Sequence, residues 1–197
     1  MPLAEALAVT LQVVEVLESL DIPYVVGGSL ASSLHGEPRS THDADILVQL
    51  KSRQVDRLVA LLEPDFHVDG DMIRDAVRRS ACCNVIHRET IFKVDLFVAG
   101  SEPFAQEELR RRQRFQLPGS PHQVLVVATA EDIVLHKLHW YKIGGEVSER
   151  QFRDVLGVLK VQGDDLDREY LDRWAEALGL RELTARAFRE ANLPESG

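Results

Sequence analysis

The alternation of apolar and polar positions divides the chain into an α/β part followed by an all-helical part. Apolar residues recur in steps of three and four over residues 3–20, which predicts an amphipathic helix. Short apolar runs bounded by turn residues predict strands at 24–26, 44–48, 66–68, 81–87, 90–98, 114–117 and 123–127. Helical patterns between them are predicted over 29–35, 52–62, 71–79 and 103–111.

From Thr129 onward the pattern predicts helices only. Thr129 and Ser148 each precede a polar residue by three positions, as helix-capping residues do, and predict helices at 130–142 and 149–161. Two further helical patterns cover 167–178 and 180–191. We therefore predict an α/β core over residues 1–128 and a helical C-terminal region over 129–197 that packs on it.

Composition and charge narrow the class of protein. With 45% hydrophobic and 28% charged residues in 197, the chain is typical of a soluble globular protein. No stretch approaches the roughly eighteen consecutive apolar residues of a membrane helix, and the N-terminus lacks the basic start of a secretion signal. The two cysteines, Cys82 and Cys83, are adjacent in an apolar run, so we interpret them as core thiols of a cytoplasmic protein. A net charge of −9 argues against broad coating of nucleic acid, although arginines cluster at 74–88 and 110–114.

The first candidate site consists of Asp43 and Asp45, two positions apart at the start of a predicted strand. Alternate residues of a strand project from the same face, so both carboxylates point the same way. Their repulsion is relieved by a cation between them, and Mg²⁺ binds one or two carboxylates together with phosphate oxygens. A pair of exposed aspartates at the end of a strand is the alternative interpretation.

Two further features support a nucleotide site. Gly27, Gly28 and Ser29 follow an apolar strand and precede a helix, where free backbone amides attract phosphate, although a tight turn would need the same residues. Asp95 lies inside an apolar run, where a charge is costly unless it is paired. It meets the first two aspartates across adjacent strands, forms a salt bridge with Lys93 or Arg88, or lies at an edge position.

The segment GGSLASSLHGEPRSTHDADILV resembles the motif of the polymerase-β-type minimal nucleotidyltransferases, which join a glycine–glycine–serine turn, a helix and an aspartate–x–aspartate strand. The HGEPRST loop and the tail ATAEDIVLHKLHWYKIGGEVSERQFRDVLGVLK are most similar to the AbiEii/MenT-like branch, which comprises toxin-type enzymes. The resemblance covers about residues 20–162. It implies a mixed sheet flanked by helices, followed by a C-terminal helical bundle.

The resemblance also implies roles for individual residues. Asp43, Asp45 and Asp95 would hold two Mg²⁺ ions, and these three aspartates with Lys137 and Asp154 would form the catalytic set. The nucleotide triphosphate would be bound by Gly27, Gly28, Ser29, Arg39 and Lys137. Lys137 flanks the apolar face of its helix, and a surface lysine is the alternative interpretation.

We therefore predict a Mg²⁺-dependent nucleotidyltransferase that moves a nucleotide from an NTP to an acceptor hydroxyl. The toxin-like branch suggests a tRNA 3′ end as acceptor, contacted by the arginines at 110–114, and a cognate antitoxin as partner. A protein or small-molecule acceptor, and a non-catalytic nucleotide- or partner-binding module, are the alternatives.

Overall fold

The computed structural model describes residues 1–117 and 123–194, and within them the chain groups into two compact units. The first unit comprises residues 1–30 and 39–128, and the second comprises residues 31–38 and 129–197. Residues 118–122 and 195–197, the latter part of the predicted helical region, lie outside the described residues.

The first unit is built on one seven-stranded mixed sheet. Its strands are β1 (Tyr24–Val26), β2 (Asp43–Val48), β3 (Phe66–His67), β4 (Cys82–His87), β5 (Lys93–Val98), β6 (Gln113–Gln116) and β7 (Val124–Val127). They lie in the order β3-β4-β5-β2-β1-β7-β6. The pairs β2–β5 and β1–β7 are parallel, and the other neighbours are antiparallel.

The helices of the first unit are α1 (Leu3–Ser19), α3 (Val55–Leu62), α4 (Gly70–Arg79) and α5 (Pro103–Arg111), and a turn of 3-10 helix (Ser52–Gln54) precedes α3. Between β1 and β2 runs α2 (Gly28–His35). Both α1 and α4 contact the sheet, and alternate residues of the central strands are buried. The remaining residues of β2, β4 and β5 are mostly part-exposed, so one face of these strands is buried and the other is partly accessible to solvent.

One sequence interpretation fails at this sheet. Cys83 is buried in the core, but Cys82 is exposed, because neighbouring residues of a strand project from opposite faces. The interpretation of both residues as core thiols was therefore wrong for Cys82.

The second unit is helical and contains α6 (Ala130–Ile143), α7 (Glu149–Gln162), α8 (Arg168–Ala177) and α9 (Arg181–Glu190), with a turn of 3-10 helix (Gly163–Asp165) between α7 and α8. The predicted caps are present: Thr129 Oγ1 accepts a hydrogen bond from the Asp132 amide at 3.2 Å, and Ser148 Oγ accepts one from the Gln151 amide at 3.5 Å.

The short segment 31–38 belongs to the helical unit because it packs closely on α7. A Cβ added to Gly36 would lie 2.8 Å from the Val158 amide nitrogen and 2.9 Å from the Gly157 carbonyl carbon. Gln162 Nε2 also donates a hydrogen bond to the His35 carbonyl at 2.7 Å. Gly36 therefore allows the backbone of this segment to approach the backbone of α7 closely.

The arrangement of strands and helices agrees with the predicted fold class, a mixed sheet flanked by helices and followed by a helical C-terminal region. No helix in the described ranges combines the length and the apolar character that crossing a membrane requires.

Candidate nucleotide and metal site

The central strands bring the three predicted aspartates to one face of the sheet. Along β2, Asp43 and Asp45 are part-exposed while Ala44 and Ile46 are fully buried. In the parallel pairing with β5, Asp45 lies opposite Asp95. Residues directly opposite each other on neighbouring strands share a face, with Cβ atoms about 4.5–5.5 Å apart. We call this side of β2, β4 and β5 the carboxylate face.

Lys93 contributes a cation to the same face. It lies opposite Asp43 in the register, and its Nζ is 2.7 Å from Asp95 Oδ2. The hydrogen bond to Asp95 raises the pKa of Lys93, and the charges of Asp95, Asp43 and Asp45 raise it further against the opposing effect of burial. Two of the interpretations of Asp95 therefore apply together: its side chain shares a face with the other aspartates, and it forms an ion pair with Lys93.

The glycine turn lies directly against Asp45. The Gly27 amide donates a hydrogen bond to the Asp45 carbonyl at 2.8 Å, and Gly28 begins α2 with a φ of +56°. A Cβ at Gly28 would lie 1.7 Å from Asp45 Oδ2. Only glycine fits this position, for both its backbone angle and its space. The N-terminus of α2, which attracts anions, is thereby held beside the Asp45 carboxylate.

Arg39 reaches back to the same turn. One guanidinium nitrogen donates a hydrogen bond to Ser29 Oγ at 2.6 Å, and the other donates to the Ser40 carbonyl at 3.0 Å. Ser29 is buried at the start of α2. The turn thus combines backbone amides, a hydroxyl and a guanidinium, which are the donors that bind phosphate oxygens.

The carboxylates have the donor chemistry of a magnesium site. Among the residues that the structure describes, no group of three or more His, Cys, Asp and Glu side chains is placed so that it could hold a metal ion. Magnesium needs only one or two protein carboxylates when phosphate oxygens and water supply its other ligands. Asp45, close to the glycine turn and opposite Asp95, therefore fits Mg²⁺ that is bound together with a nucleotide. The two-ion arrangement stays a prediction.

The structure adds Asn84 to this face, a residue that the sequence did not single out. It lies opposite Asp95 on the antiparallel β4, and Cys82 lies two residues before it on the same face. Asn84 is part-exposed between the buried Cys83 and Val85. A polar residue in an otherwise apolar strand was the available signal, but its significance depends on the strand order.

Lys137 and Asp154 form a buried ion pair within the helical unit. Lys137 Nζ lies 2.7 Å from Asp154 Oδ2, and only 6% and 7% of the two side chains are exposed. The pair joins α6 to α7. The alternative interpretation of Lys137 as a surface lysine was wrong, since its side chain is buried. The predicted roles of the two residues in catalysis stay predictions.

Several arginines of the two basic clusters, at 74–88 and 110–114, have acidic or carbonyl partners. In the first cluster, Arg74 pairs with Asp56 and Asp71, and Arg78 and Arg79 pair with Asp75.

Three further arginines of these clusters also have acidic or carbonyl partners. Arg88 donates to the Glu63 carbonyl, Arg110 pairs with Glu107, and Arg112 donates to the Leu109 carbonyl. Such pairing lowers the net positive charge that a phosphate backbone would meet.

Comparison with known proteins gives the family context of this site. A family model described as aminoglycoside-2''-adenylyltransferase matches residues 9–86, which include the glycine turn, Asp43 and Asp45. No curated protein is significantly similar to the chain.

Three solved structures illustrate the shared fold. An antigenic nucleotidyltransferase-like protein from Paracoccidioides brasiliensis is 18% identical, with a TM-score of 0.56 over 94% of this chain and 93% of that chain. A lincosamide antibiotic adenylyltransferase with lincomycin bound is 10% identical, with a TM-score of 0.51 over 77% and 95%. The ANT(2'')-Ia protein in complex with adenylyl-2''-tobramycin is 12% identical, with a TM-score of 0.53 over 89% and 97%.

At these identities the solved structures show the fold, and the family match covers the glycine turn and the first two aspartates. Together they support the prediction that the chain is a nucleotidyltransferase enzyme. The AbiEii/MenT-like branch is not shown by these matches. Over residues 9–86 the chain is thus similar to the aminoglycoside-2''-adenylyltransferase family, and as a whole it shares the fold of solved nucleotidyltransferase structures.

Proposed function

We propose that the protein transfers an adenylyl group from ATP to a hydroxyl group of a small molecule of the antibiotic class. The observation that carries the proposal is the in-register pairing of Asp45 with Asp95, beside the glycine turn at the start of α2. Carboxylates and a phosphate-binding turn on one surface are what transfer of a nucleotide requires.

The roles within the site follow from its chemistry. Gly27, Gly28 and Ser29 bind the β- and γ-phosphates through amides and a hydroxyl, and Arg39 adds a positive charge. This holds the α-phosphate beside Asp45, where an acceptor hydroxyl can attack in line and pyrophosphate can leave. Asp43, Asp45 and Asp95 are the predicted ligands of Mg²⁺, and the ion would neutralise charge on the reacting phosphates.

Asp95 is the candidate general base for the acceptor hydroxyl. It lies opposite Asp45 and is therefore close to the phosphorus that the hydroxyl attacks. A carboxylate within hydrogen-bond reach of that hydroxyl accepts its proton as the new P–O bond forms. Lys137 and Asp154 complete the predicted catalytic set, and Lys137 is the further predicted contact to the nucleotide.

Two observations favour a small-molecule acceptor over RNA. The names of the matched family and of two of the similar structures refer to the modification of aminoglycosides and a lincosamide. In addition, two of the four arginines predicted to contact tRNA have partners within the protein, since Arg110 pairs with Glu107 and Arg112 donates to the Leu109 carbonyl. A tRNA 3′ end, a toxin–antitoxin setting and an antitoxin partner gain no support from either observation.

The test is transfer of label. The protein is incubated with each α-phosphate-labelled NTP, Mg²⁺ and one acceptor class at a time: aminoglycosides, lincosamides, cell protein or total tRNA. We expect label from ATP on a small molecule and none with the Asp45→Asn variant. Label on tRNA would contradict the proposed acceptor, and Mg²⁺-dependent ATP binding without transfer to any class would favour the non-catalytic alternative.

A further inference from the structure

We propose that Lys93 is a built-in counter-cation of the carboxylate face, which competes with the divalent ion for Asp95. The inference rests on the proposed function and deepens it, because it concerns how the same carboxylates are regulated before the nucleotide binds. It assigns a positioning role to a residue outside the predicted catalytic and nucleotide-binding sets.

The register places Lys93 among the carboxylates. It lies opposite Asp43 and two residues before Asp95 on β5, so all three side chains share a face. Its ammonium contacts Asp95 Oδ2 at 2.7 Å, although 42% of the Lys93 side chain is exposed. The charge is therefore directed along the strand towards Asp95.

The electrostatic environment explains that direction. Three aspartates and one lysine on one face leave an excess of negative charge, and like charges this close repel one another. The charges of Asp95, Asp43 and Asp45 all act on the Lys93 ammonium. Lys93 thus relieves the same repulsion that a divalent cation would relieve.

A part-exposed ion pair can be exchanged at low cost. Water reaches the ammonium end of the pair, because 42% of the Lys93 side chain is exposed, whereas only 13% of the Asp95 side chain is. Water therefore screens the attraction in part, and holding the lysine in one geometry costs rotamer freedom. A divalent ion that takes Asp95 as a ligand must displace the ammonium from Oδ2. The competition lowers the affinity of the protein alone for the ion, so that the ion binds chiefly together with the nucleotide phosphates.

The experiment measures binding of Mn²⁺ alone, without nucleotide, by electron paramagnetic resonance. We expect Lys93→Gln to bind Mn²⁺ about two- to fivefold more tightly than the unchanged protein. This is the size of effect expected when the ion no longer has to displace one part-exposed ammonium. Lys93→Arg keeps the cation and should bind like the unchanged protein. Lys51→Gln, beyond the far end of β2, makes the same change in net charge and should leave the affinity unchanged.

A second readout separates competition from a merely structural salt bridge. Without divalent ions, Lys93→Gln should unfold at lower urea than the unchanged protein, because the carboxylates lose their counter-charge. Adding Mn²⁺ should restore more stability to this variant than to the unchanged protein. Lys93→Met is measured in parallel, so that the result does not depend on one variant folding.

Binding by Asp45→Asn separates the two hypotheses. If Mn²⁺ binding is lost in Asp45→Asn but unchanged or weaker in both Lys93→Gln and Lys93→Met, the counter-cation inference is wrong and the proposed site stands. If Mn²⁺ binding does not depend on Asp45, the proposed metal site is wrong, and the inference about Lys93 falls with it.

Discussion

Asp45 on β2 and Asp95 on β5 lie directly opposite each other in parallel register, so their carboxylates share one face of the sheet. The two residues come from separate parts of the chain, and only the pairing of β2 with β5 brings them together. The same pairing sets Lys93 opposite Asp43. The strand order thus produces a compact group of charges from residues that are distant in sequence.

The first prediction concerns the division of work between these two carboxylates. Asp95→Asn should lower kcat by about 10²–10⁴-fold if Asp95 accepts the proton of the acceptor hydroxyl, while the KM for ATP changes little. Both variants remove a predicted metal ligand, but Asp45→Asn should weaken divalent-ion binding more, because Asp45 lies beside the glycine turn and Asp95 is already paired with Lys93. Steady-state kinetics and Mn²⁺ titration distinguish the two variants. Asp164→Asn, at an exposed position of the helical unit, is the matched control. Full activity of a folded Asp95→Asn variant would contradict the general-base role.

The second prediction concerns Gly28, where the site requires both a positive φ and the absence of a side chain. Gly28→Ala combines left-handed strain with a Cβ only 1.7 Å from Asp45 Oδ2. Gly145→Ala is the matched control, since its φ is +74° and nothing lies within 4 Å of its added Cβ. We expect the control to lose about 1–2 kcal/mol of stability in urea from strain alone.

Gly28→Ala should lose a further 1–3 kcal/mol or so from the clash, and its rate of transfer should fall because Asp45 must move. Transfer assays and urea unfolding on both variants test this. Equal losses of stability, with activity retained in both variants, would show that the close contact between Gly28 and Asp45 affects neither stability nor transfer.

The sequence predicted the elements well because their patterns are local. The alternation in DADILV gives a strand whose two aspartates share a face, and Thr129 and Ser148 cap the helices they were expected to cap. Each of these inferences needs only residues within a few positions of one another.

What the sequence did not reveal depends on contacts between distant segments. Asn84 joins the carboxylate face only because β4 lies beside β5. Gly36 marks a close approach to α7, which no local pattern contains. The Lys137 side chain can be buried because Asp154, on a different helix, compensates its charge.

The third prediction concerns Arg39 and Ser29, which are joined by a hydrogen bond of 2.6 Å. If both contact the triphosphate, Arg39→Ala should raise the KM for ATP about tenfold or more, since hydrogen bonds to charged groups contribute about 1.5–3 kcal/mol. The KM for the acceptor should not change. Ser29→Ala should raise the KM for ATP less. In the variant that carries both substitutions, the loss of binding free energy should be smaller than the sum of the two single losses.

Arg53→Ala, at an exposed position in the 3-10 turn, is the control for Arg39. A KM for ATP that is unchanged in Arg39→Ala would remove Arg39 from the nucleotide-binding set and leave it a structural role at the turn.

The fourth prediction separates two roles of the buried pair Lys137–Asp154. Removing one partner leaves a buried charge without its counter-charge, so Lys137→Met and Asp154→Leu should each destabilise the protein by about 3–5 kcal/mol in urea. The double variant should recover much of this loss. If Lys137→Met instead keeps its stability and raises the KM for ATP, the predicted contact with the nucleotide is favoured over a structural ion pair.

The fifth prediction uses Cys82 as a reporter of the carboxylates beside it. Partial burial and the charges of Asp95 and Asp45 raise the pKa of Cys82 to about 11. Because the thiolate is the reactive form, only about one thiol in a thousand is ionised at pH 8, and alkylation should be slow and accelerate as the pH rises towards 11. Asp95→Asn removes a negative charge, which lowers this pKa and should speed alkylation at pH 8.

Peptide mapping by mass spectrometry assigns the label to Cys82 or Cys83. Burial raises the pKa of Cys83 to about 12, so this thiol should stay unlabelled in the folded protein. Asp164→Asn makes the same change in net charge at a site in the helical unit, and it should leave the rate at Cys82 unchanged. An equal rate in Asp95→Asn and the unchanged protein would mean that the Asp95 charge does not act on Cys82, contrary to their positions on neighbouring strands.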